Sequence, residues 1–229
     1  MSRKWGDLMF LSRVEIASGD FKKMRGLTHL GAYHDWVERS FPEEIAQGLR
    51  LRHLWRIDRL ANRDYLLLVS ERKPDLELME RHGVQGSAMT KNYDFFLDTL
   101  TLGRIYRFRL TANPTYAVVQ PGQKRSKVYP HITADQQRRW LLERQEKLGF
   151  EFLKQETSLG MQPSFEIVER DWKNLKRKQG KRNIKLSCVS FEGALKITDV
   201  DKFRVALTEG IGREKAFGMG LLTAIPLGE

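Results

Sequence analysis

The sequence predicts an α+β protein built from two tandem ferredoxin-like domains, each with the RRM-like order βαββαβ. Three observations lead to this fold class. Short alternating segments predict strands, capped segments with helical spacing predict helices, and the same order of elements occurs in both halves of the 229 residues. The domains are predicted at residues 1–102 and 103–229, and the 41% hydrophobic content is compatible with packed cores.

The first half opens with an alternating strand in which Leu8, Phe10, Val14 and Ile16 share one face. Helical spacing and turn residues then mark the remaining elements. Proline is favoured at the first position of a helix and glycine just beyond its end. The predicted elements are strand 8–16, helix 33–41, strands 51–58 and 65–70, a helix that Pro74 opens and Gly83 closes, and strand 93–100.

The second half opens with a strand at residues 104–111 that carries two different faces. Tyr106 and Phe108 lie on the apolar face, whereas Arg107 and Arg109 lie on the other. This strand can therefore pack on one side and contact phosphate with the other.

The helix that follows has signals at both ends. Thr133 and Gln136 match the capping-box pattern, and Gly149 sits where a C-terminal cap belongs. The predicted elements after the opening strand are helix 134–148, strand 150–155, the hairpin arms 165–170 and 184–195, helix 200–209 and strand 216–225.

The net charge of +11 is concentrated in the second half of the chain. Residues 103–229 carry 24 Lys/Arg against 14 Asp/Glu, whereas residues 1–102 carry 16 against 15. Charge gathered in one half predicts a binding face for a polyanion. Nucleic acid is the favoured partner, and an anionic membrane surface is the weaker alternative.

The densest basic segment is residues 170–185, which holds eight Lys/Arg against the single acid Asp171 and has Gly180 at its predicted turn. This density suits a hairpin lying along a phosphate backbone. The candidate RNA-binding residues of the second half are Arg107, Arg109, Lys173, Lys176, Arg177, Lys178, Lys181, Arg182, Lys185, Arg213 and Lys215.

A glycine-rich run at residues 210–222 has two open interpretations. It lacks the third glycine of a dinucleotide-binding fingerprint and the Gly-Lys-Ser/Thr of a Walker loop. Four glycines with Arg213 and Lys215 could bring backbone close to sugar and phosphate. The alternative is a helix C-cap followed by a glycine-marked bulge, and the sequence favours neither.

The titratable residues predict no metal site and no cofactor, because the acids are scattered and the five histidines lack zinc-binding spacing. An RNA-cutting enzyme without a metal uses the 2′-OH of its substrate as nucleophile and needs groups that accept and donate protons. Histidine suits either role. His34 is the first candidate because it opens a helix, where anions are favoured, and His29 is the alternative.

The chain shows neither an export signal nor an apolar stretch of membrane-spanning length, and it carries one cysteine, Cys188. The single cysteine excludes an internal disulfide framework. These features predict a cytoplasmic protein without a membrane partner.

Taken in order, the motifs resemble the CasE (Cse3) family, the CRISPR-associated endoribonucleases of type I-E Cascade. The resemblance runs from Met9 onward through motifs that are specific in combination. They are FLSRVEI at 10–16, His34 followed by Phe41 and Pro42, FRLTANP at 108–114, WLLERQEKLGF at 140–150, the basic hairpin, VSFEGALKITD at 189–199, and GIGREKAFGMGLLTAIP at 210–226.

The resemblance implies a function for these parts. In that family, two ferredoxin-like domains bind a CRISPR repeat stem-loop and cut it at the 3′ base of the stem by metal-independent 2′-OH attack. Carried over, His34 becomes the general acid/base, and the basic hairpin enters the RNA major groove. The family retains the cut crRNA as a Cascade subunit, so the implied partners are repeat RNA and other Cascade subunits.

One departure from the family bears on catalysis. The family often has a tyrosine three residues before the catalytic histidine, where this chain has Gly31. The nearest tyrosine, Tyr33, is therefore a further catalytic candidate. Two alternatives stay open: a non-catalytic subunit that holds repeat RNA, and a general RNA-binding or chaperone module.

Overall fold

The first half of the chain folds into a four-stranded antiparallel sheet, in a computed structural model that describes residues 8–119, 122, 126–158, 160–175 and 184–228. Its elements are β1 Phe10–Glu15, α1 Phe21–Met24, α2 Leu30–Arg39, α3 Pro42–Ala46, β2 Leu54–Leu60, β3 Arg63–Ser70, α4 Leu76–Met79, β4 Met89–Asn92 and α5 Asp94–Leu97. The sheet order is β2-β3-β1-β4, and neighbouring strands are antiparallel. This order is that of a ferredoxin-like βαββαβ unit.

The second half repeats the arrangement with two added hairpins. Its elements are β5 Ile105–Ala112, β6 Thr115–Val118, β7 Lys127–Pro130, α6 Ala134–Leu142, β8 Phe150–Phe152, β9 Lys154–Thr157, β10 Gly160–Pro163, β11 Phe165–Leu175, β12 Ile184–Ile197, α7 Val200–Glu209 and β13 Leu222–Pro226. The main sheet runs β11-β12-β5-β13, and β8 also pairs with β12. The predicted α+β class is confirmed, whereas the boundary between residues 102 and 103 stays a prediction.

The sheet of the first half is buried on both faces. Along β1, Val14 and Ile16 join the apolar cluster beneath α2, which includes Trp36. Met9 and Leu11 point the other way and pack into a larger cluster formed mostly by the second half. The two ferredoxin-like units therefore share a continuous apolar contact, which fixes α2 relative to the second half.

The predicted strand at 93–100 was wrong. Strand β4 ends before Tyr93, and the helical turn α5 follows it. Tyr93, Leu97 and Leu100 are buried, whereas Phe95 is exposed. Buried positions at i, i+4 and i+7 follow the period of a helix and not that of a strand.

Several predicted boundaries also needed correction. Asp75 caps α4, since its side chain accepts a hydrogen bond from the Leu78 amide at 3.0 Å, so Pro74 precedes the cap and is not the first helical residue. The capping box of α6 is confirmed, but α6 ends at Leu142 and a separate 3₁₀ turn precedes the left-handed Gly149. The last strand begins at Leu222 and not at residue 216 as predicted, and residues 215–217 form a second 3₁₀ turn instead.

A buried arginine joins the two halves. The Arg56 guanidinium on β2 makes two hydrogen bonds of 2.7 Å to the Asp58 carboxylate. It also donates to the backbone carbonyls of Arg109 and Leu221 at 2.9 and 2.8 Å, and to the Thr223 hydroxyl at 2.8 Å. One side chain from the first half therefore bridges two strands of the second half.

Candidate active site and RNA interface

Helix α2 carries His34 to the boundary between the two halves. The imidazole of His34 meets the Phe217 ring edge-on, with ring centroids 5.7 Å apart. Phe217 belongs to the 3₁₀ turn 215–217 of the second half, which packs against α2. The candidate histidine therefore comes from the first half, and its ring is held by a residue of the second.

The two ring edges of His34 lie in different surroundings. Nδ1 is buried, has no hydrogen-bond partner among the described residues, and lies 3.7 Å from Glu38 Oε1 one turn along α2. The side chain as a whole is 36% exposed. Because Nδ1 is covered, the exposure falls on the opposite edge, which carries Nε2. This edge is available for proton transfer to a ligand.

The competing histidine, His29, occupies the N-cap position of α2 without making a side-chain capping bond. Its ring lies over Gly31, where an added Cβ would sit 3.1 Å from His29 Nδ1 and Cε1 and 3.7 Å from Leu175 at the end of β11. A side chain at position 31 would therefore point toward the base of the basic hairpin. This chain has only a glycine there.

Tyr33 lies elsewhere. Its ring stacks on Trp55 with centroids 6.0 Å apart and packs against Trp36, in the cluster beneath α2. Burial is the main cause that raises the Tyr33 pKa, aided by the charge of Asp64 and opposed by that of Lys173. The Tyr33 phenol is therefore packed apart from position 31, and its catalytic role stays a prediction.

The other three histidines have structural surroundings. His53 is buried between Glu38 and Glu44, at 2.8 and 3.2 Å. His82 Nδ1 contacts the Lys23 carbonyl at 2.5 Å. Burial and then the charge of Arg144 lower the His131 pKa.

A cleft of about 560 Å³ opens beside the start of α2. Arg213 and Glu214 of the glycine-rich loop and Lys185 of β12 line it, and Gly31 forms part of its wall. The lining also includes Asn113, Tyr129, Leu175, Ser187 and Phe217. Cations from two separated segments thus face a groove that is also lined by Phe217, the contact of the His34 ring, and this arrangement suits a phosphate backbone.

Five of the predicted RNA-binding residues, Lys176, Arg177, Lys178, Lys181 and Arg182, lie outside the described residues. The strands on either side of this segment are described: Leu175 of β11 pairs with Ile184 of β12 at the last register position of the hairpin. The arms extend the main sheet past α2, which β11 contacts.

The remaining predicted RNA-binding cations of the β-strands differ in solvent exposure and in ion pairing. Arg107 is 68% exposed, whereas Arg109 is held by the carboxylates of Glu192 and Asp58. Lys173 pairs with Asp171 at 2.6 Å. Arg109 therefore serves the contact between the halves, and Arg107 keeps more of its surface open to solvent.

The glycine-rich loop packs against the first half. Gly210 ends α7 with φ +72°, and Gly218 has φ +78°. A Cβ on Gly218 would lie 2.6 Å from the Trp55 ring, and one on Gly210 would lie 2.7 Å from Leu54. The C-cap interpretation is therefore correct for Gly210, and the close approach that the glycines permit is to protein side chains.

Lys215, in the same loop, donates a hydrogen bond to the Glu209 carbonyl at 2.6 Å and so caps the end of α7. Burial, followed by the charge of Arg52, lowers the Lys215 pKa. Arg213, by contrast, is exposed on the cleft. Of the two loop cations, Arg213 is thus the better placed for an external phosphate.

Sequence reasoning missed Glu38 and Phe217 as neighbours of His34. Glu38 could have been found from its i+4 spacing on a helical segment. Phe217 could not, since only the packing of the two halves brings it close.

Within the described ranges, no group of three or more His, Cys, Asp or Glu side chains is positioned to hold a metal ion. No helix in the described part of the chain has the length and apolar character needed to cross a membrane.

A family model described as CRISPR associated protein matches residues 9–226. The CRISPR-associated endoribonuclease Cse3 of Thermus thermophilus is 25% identical over 224 residues, which cover 95% of this chain and all of that relative. The structure of Thermus thermophilus Cse3 bound to an RNA representing a pre-cleavage complex has a TM-score of 0.78 at 26% identity, over 96% of this chain and 100% of that chain.

Cas6e from Escherichia coli K-12 shares the fold, with a TM-score of 0.57 at 24% identity over 95% of this chain and 100% of that chain. The family model spans nearly the whole sequence, and the similarity to Cse3 extends along both halves. The protein therefore belongs to the family of CRISPR-associated proteins, and its resemblance to the CasE (Cse3) members is confirmed.

Proposed function

We propose that the protein is a metal-independent endoribonuclease that cleaves precursor crRNA at the 3′ base of the CRISPR repeat stem-loop. The observation that carries this function is the placement of His34, whose ring contacts Phe217, a residue that lines a cleft together with Arg213 and Lys185. A proton-transfer group beside a cationic groove is what 2′-OH attack on a phosphodiester requires. The similarity to an endoribonuclease over both halves supports the same conclusion.

The proposed cleavage reaction needs no cofactor. The 2′-OH loses its proton and its oxygen attacks phosphorus, while the 5′ oxygen of the next nucleotide leaves and takes up a proton. The products are a 2′,3′-cyclic phosphate and a 5′-OH. His34 serves one of the two proton transfers, because a neutral imidazole accepts a proton and an imidazolium donates one.

The cations of the second half have two roles in this proposal. Arg213 and Lys185 neutralise phosphate charge along the cleft and stabilise the charge that builds on phosphorus. The basic hairpin enters the major groove of the stem, and its sequence between β11 and β12 includes Lys176, Arg177, Lys178, Lys181 and Arg182. An A-form major groove is deep and narrow, so this contact senses shape and charge more than base edges.

The partners follow from the same proposal. The protein retains the cut crRNA and joins other Cascade subunits in the cytoplasm. Slow release of product makes the reaction essentially single-turnover.

One observation favours a second function. Gly31 occupies the position where the family often has a tyrosine, and Tyr33 is packed in the cluster beneath α2. A chain without a phenol at position 31 could bind the stem-loop and leave it uncut, as a non-catalytic RNA-holding subunit.

The experiment that decides is single-turnover cleavage of a labelled repeat hairpin, compared with the same hairpin carrying a 2′-deoxy nucleotide at the cut. The proposal predicts a 2′,3′-cyclic phosphate product from the first RNA and no cutting of the second, with similar affinity for both. Cutting of the 2′-deoxy RNA would contradict 2′-OH attack. Binding of both without cutting would support the RNA-holding subunit.

A further inference from the structure

We propose that Glu38 is a positioning residue for His34: its carboxylate accepts a hydrogen bond from His34 Nδ1–H, so that Nε2 carries out proton transfer on the RNA. This inference rests on the proposed function and adds a residue to it. It starts from a buried ring nitrogen. His34 Nδ1 has no hydrogen-bond partner among the described residues, and a buried polar atom without a partner is costly.

Glu38 is the acceptor in reach. Its Oε1 lies 3.7 Å from His34 Nδ1, one turn along the same helix. This distance is too long for a hydrogen bond, and a small rotation of either side chain would close it. Catalytic hydrogen bonds are often long without substrate and tighten in the complex.

The carboxylate of Glu38 is held in place by a second histidine, His53. His53 Nδ1 contacts Glu38 Oε1 at 2.8 Å, and His53 Nε2 lies 3.2 Å from Glu44 Oε2. The His53 ring is buried and stacks on Phe41, with centroids 3.9 Å apart. The row His34, Glu38, His53, Glu44 thus leads from the exposed ring into the interior, with carboxylates and imidazoles alternating.

The charged surroundings keep Glu38 ionised. Burial alone would raise its pKa, but the hydrogen bond from His53, the charges of His53 and His34, and the charge of Arg50 together lower it. An ionised carboxylate accepts hydrogen bonds only, so it favours the imidazole tautomer with the proton on Nδ1. The charged groups that act on Glu38 are His53, His34 and Arg50, Glu44 lies beyond His53, and the 3₁₀ turn that packs against α2 carries Lys215.

The arrangement has a chemical consequence. With the proton on Nδ1, the exposed edge of the neutral ring presents an unprotonated Nε2 that can accept the 2′-OH proton. The imidazolium that forms is stabilised by the negative charge of Glu38. Orientation of a catalytic histidine by a carboxylate on its second nitrogen is a recurrent device in enzymes.

The test compares Glu38→Gln with wild type in two measurements on the full chain. Gln keeps an oxygen that can accept from His53 but removes the charge. We expect a roughly tenfold lower single-turnover rate on the repeat hairpin, a part of what general acid–base catalysis contributes, and a pH–rate profile that differs from that of wild type because a negative charge beside the ring is lost. In ¹⁵N NMR spectra, the His34 ring should hold its proton on Nδ1 in wild type and lose that preference in the variant.

The matched control is Asp35→Asn. It removes one negative charge from the same helix, where Asp35 forms an exposed pair with Arg39 at 2.7 Å. The control should leave the pH profile and the His34 tautomer unchanged. A similar shift in both variants would show that any lost negative charge on α2 has this effect, and it would overturn the proposal.

The outcomes separate the inference from the proposed function. If His34→Ala abolishes cleavage but Glu38→Gln changes neither tautomer nor pH profile, the positioning role is wrong and the nuclease stands. If the tautomer changes in Glu38→Gln while His34→Ala still cleaves at the wild-type rate, the assignment of His34 to catalysis is wrong.

Discussion

Replacing Arg56 with methionine should destabilise the protein more than any change at a surface arginine. The Arg56 side chain is 2% exposed and makes five hydrogen bonds, three of which join β2 to the second half. Methionine fills similar volume but donates nothing. The buried Asp58 carboxylate is then left with Arg109 alone, at 3.3 Å, and the Leu221 carbonyl loses its donor from Arg56.

The magnitude follows from these losses. Removing one partner of a buried ion pair costs about 3–5 kcal/mol, because the other charge stays buried with incomplete compensation. For a chain of this size each kcal/mol corresponds to roughly 2–4 °C, so the unfolding midpoint should fall by roughly 6–20 °C. Because Arg56 fixes the first half to the strands beside the cleft, cleavage should weaken as well.

The assay is urea unfolding, followed by circular dichroism, of Arg56→Met beside the control Arg59→Met. Arg59 is exposed on the same strand, so its change should stay within about 0.5 kcal/mol. A loss below about 1 kcal/mol for Arg56→Met, or equal losses for both variants, would refute the role of Arg56 in joining the halves.

Three further outcomes are expected. Neutralising Lys185 or Arg213 should weaken hairpin binding, and each change should reduce the slope of log affinity against log salt by about one. Fluorescence anisotropy measures both quantities, and an unchanged slope would place the phosphates elsewhere. Gly218→Ala combines a left-handed φ of +78° with an indole 2.6 Å from the new Cβ, and should cost more than the roughly 1–2 kcal/mol of the backbone strain alone; a neutral effect in thermal unfolding would contradict the packing of this loop. The lowered pKa of Glu38 stabilises the folded state; this contribution is full above the ordinary Glu pKa of 4.5 and is lost as pH falls below that value. The stability of Glu38→Gln should therefore fall less than that of wild type between pH 6 and pH 3. Equal losses of stability would count against the contact with His53.

Much of the fold could be predicted because strands such as β1, β3 and β5 are buried on at least one face. The alternation in β1 and β5, the capping box of α6 and the glycine that ends α7 are local signals, and the structure agrees with them. Local signals failed at residues 93–100, where closely spaced aromatic and leucine residues suggested a strand although the buried ones follow helical spacing.

The hairpins β6–β7 and β9–β10 were missed for a related reason. Their residues are mostly exposed, and polar or basic residues interrupt any alternation. A strand whose ladder partners are its own neighbours needs no buried face, so its sequence carries little apolar pattern.

The candidate site was only partly predictable. His34 stood out by its predicted place at the start of a helix and by the family resemblance. The first signal was wrong, because α2 begins at Leu30 with His29 at its N-cap, which puts His34 in the second turn. Its contact with Phe217 arises from packing between residues more than 170 positions apart in sequence. Arg109 illustrates the converse, because the alternation placed it correctly on its face of β5 but could not reveal the carboxylates that hold it.

Cleavage of a labelled repeat hairpin in EDTA by wild type, His34→Ala and His29→Ala tests the central claim most directly. We expect wild type and His29→Ala to cut at comparable single-turnover rates. His34→Ala should lose cutting by at least a hundredfold, consistent with general acid–base catalysis, while its hairpin affinity stays within a few-fold. Tight binding by wild type with no cutting in EDTA, or undiminished cutting by His34→Ala, would contradict the account.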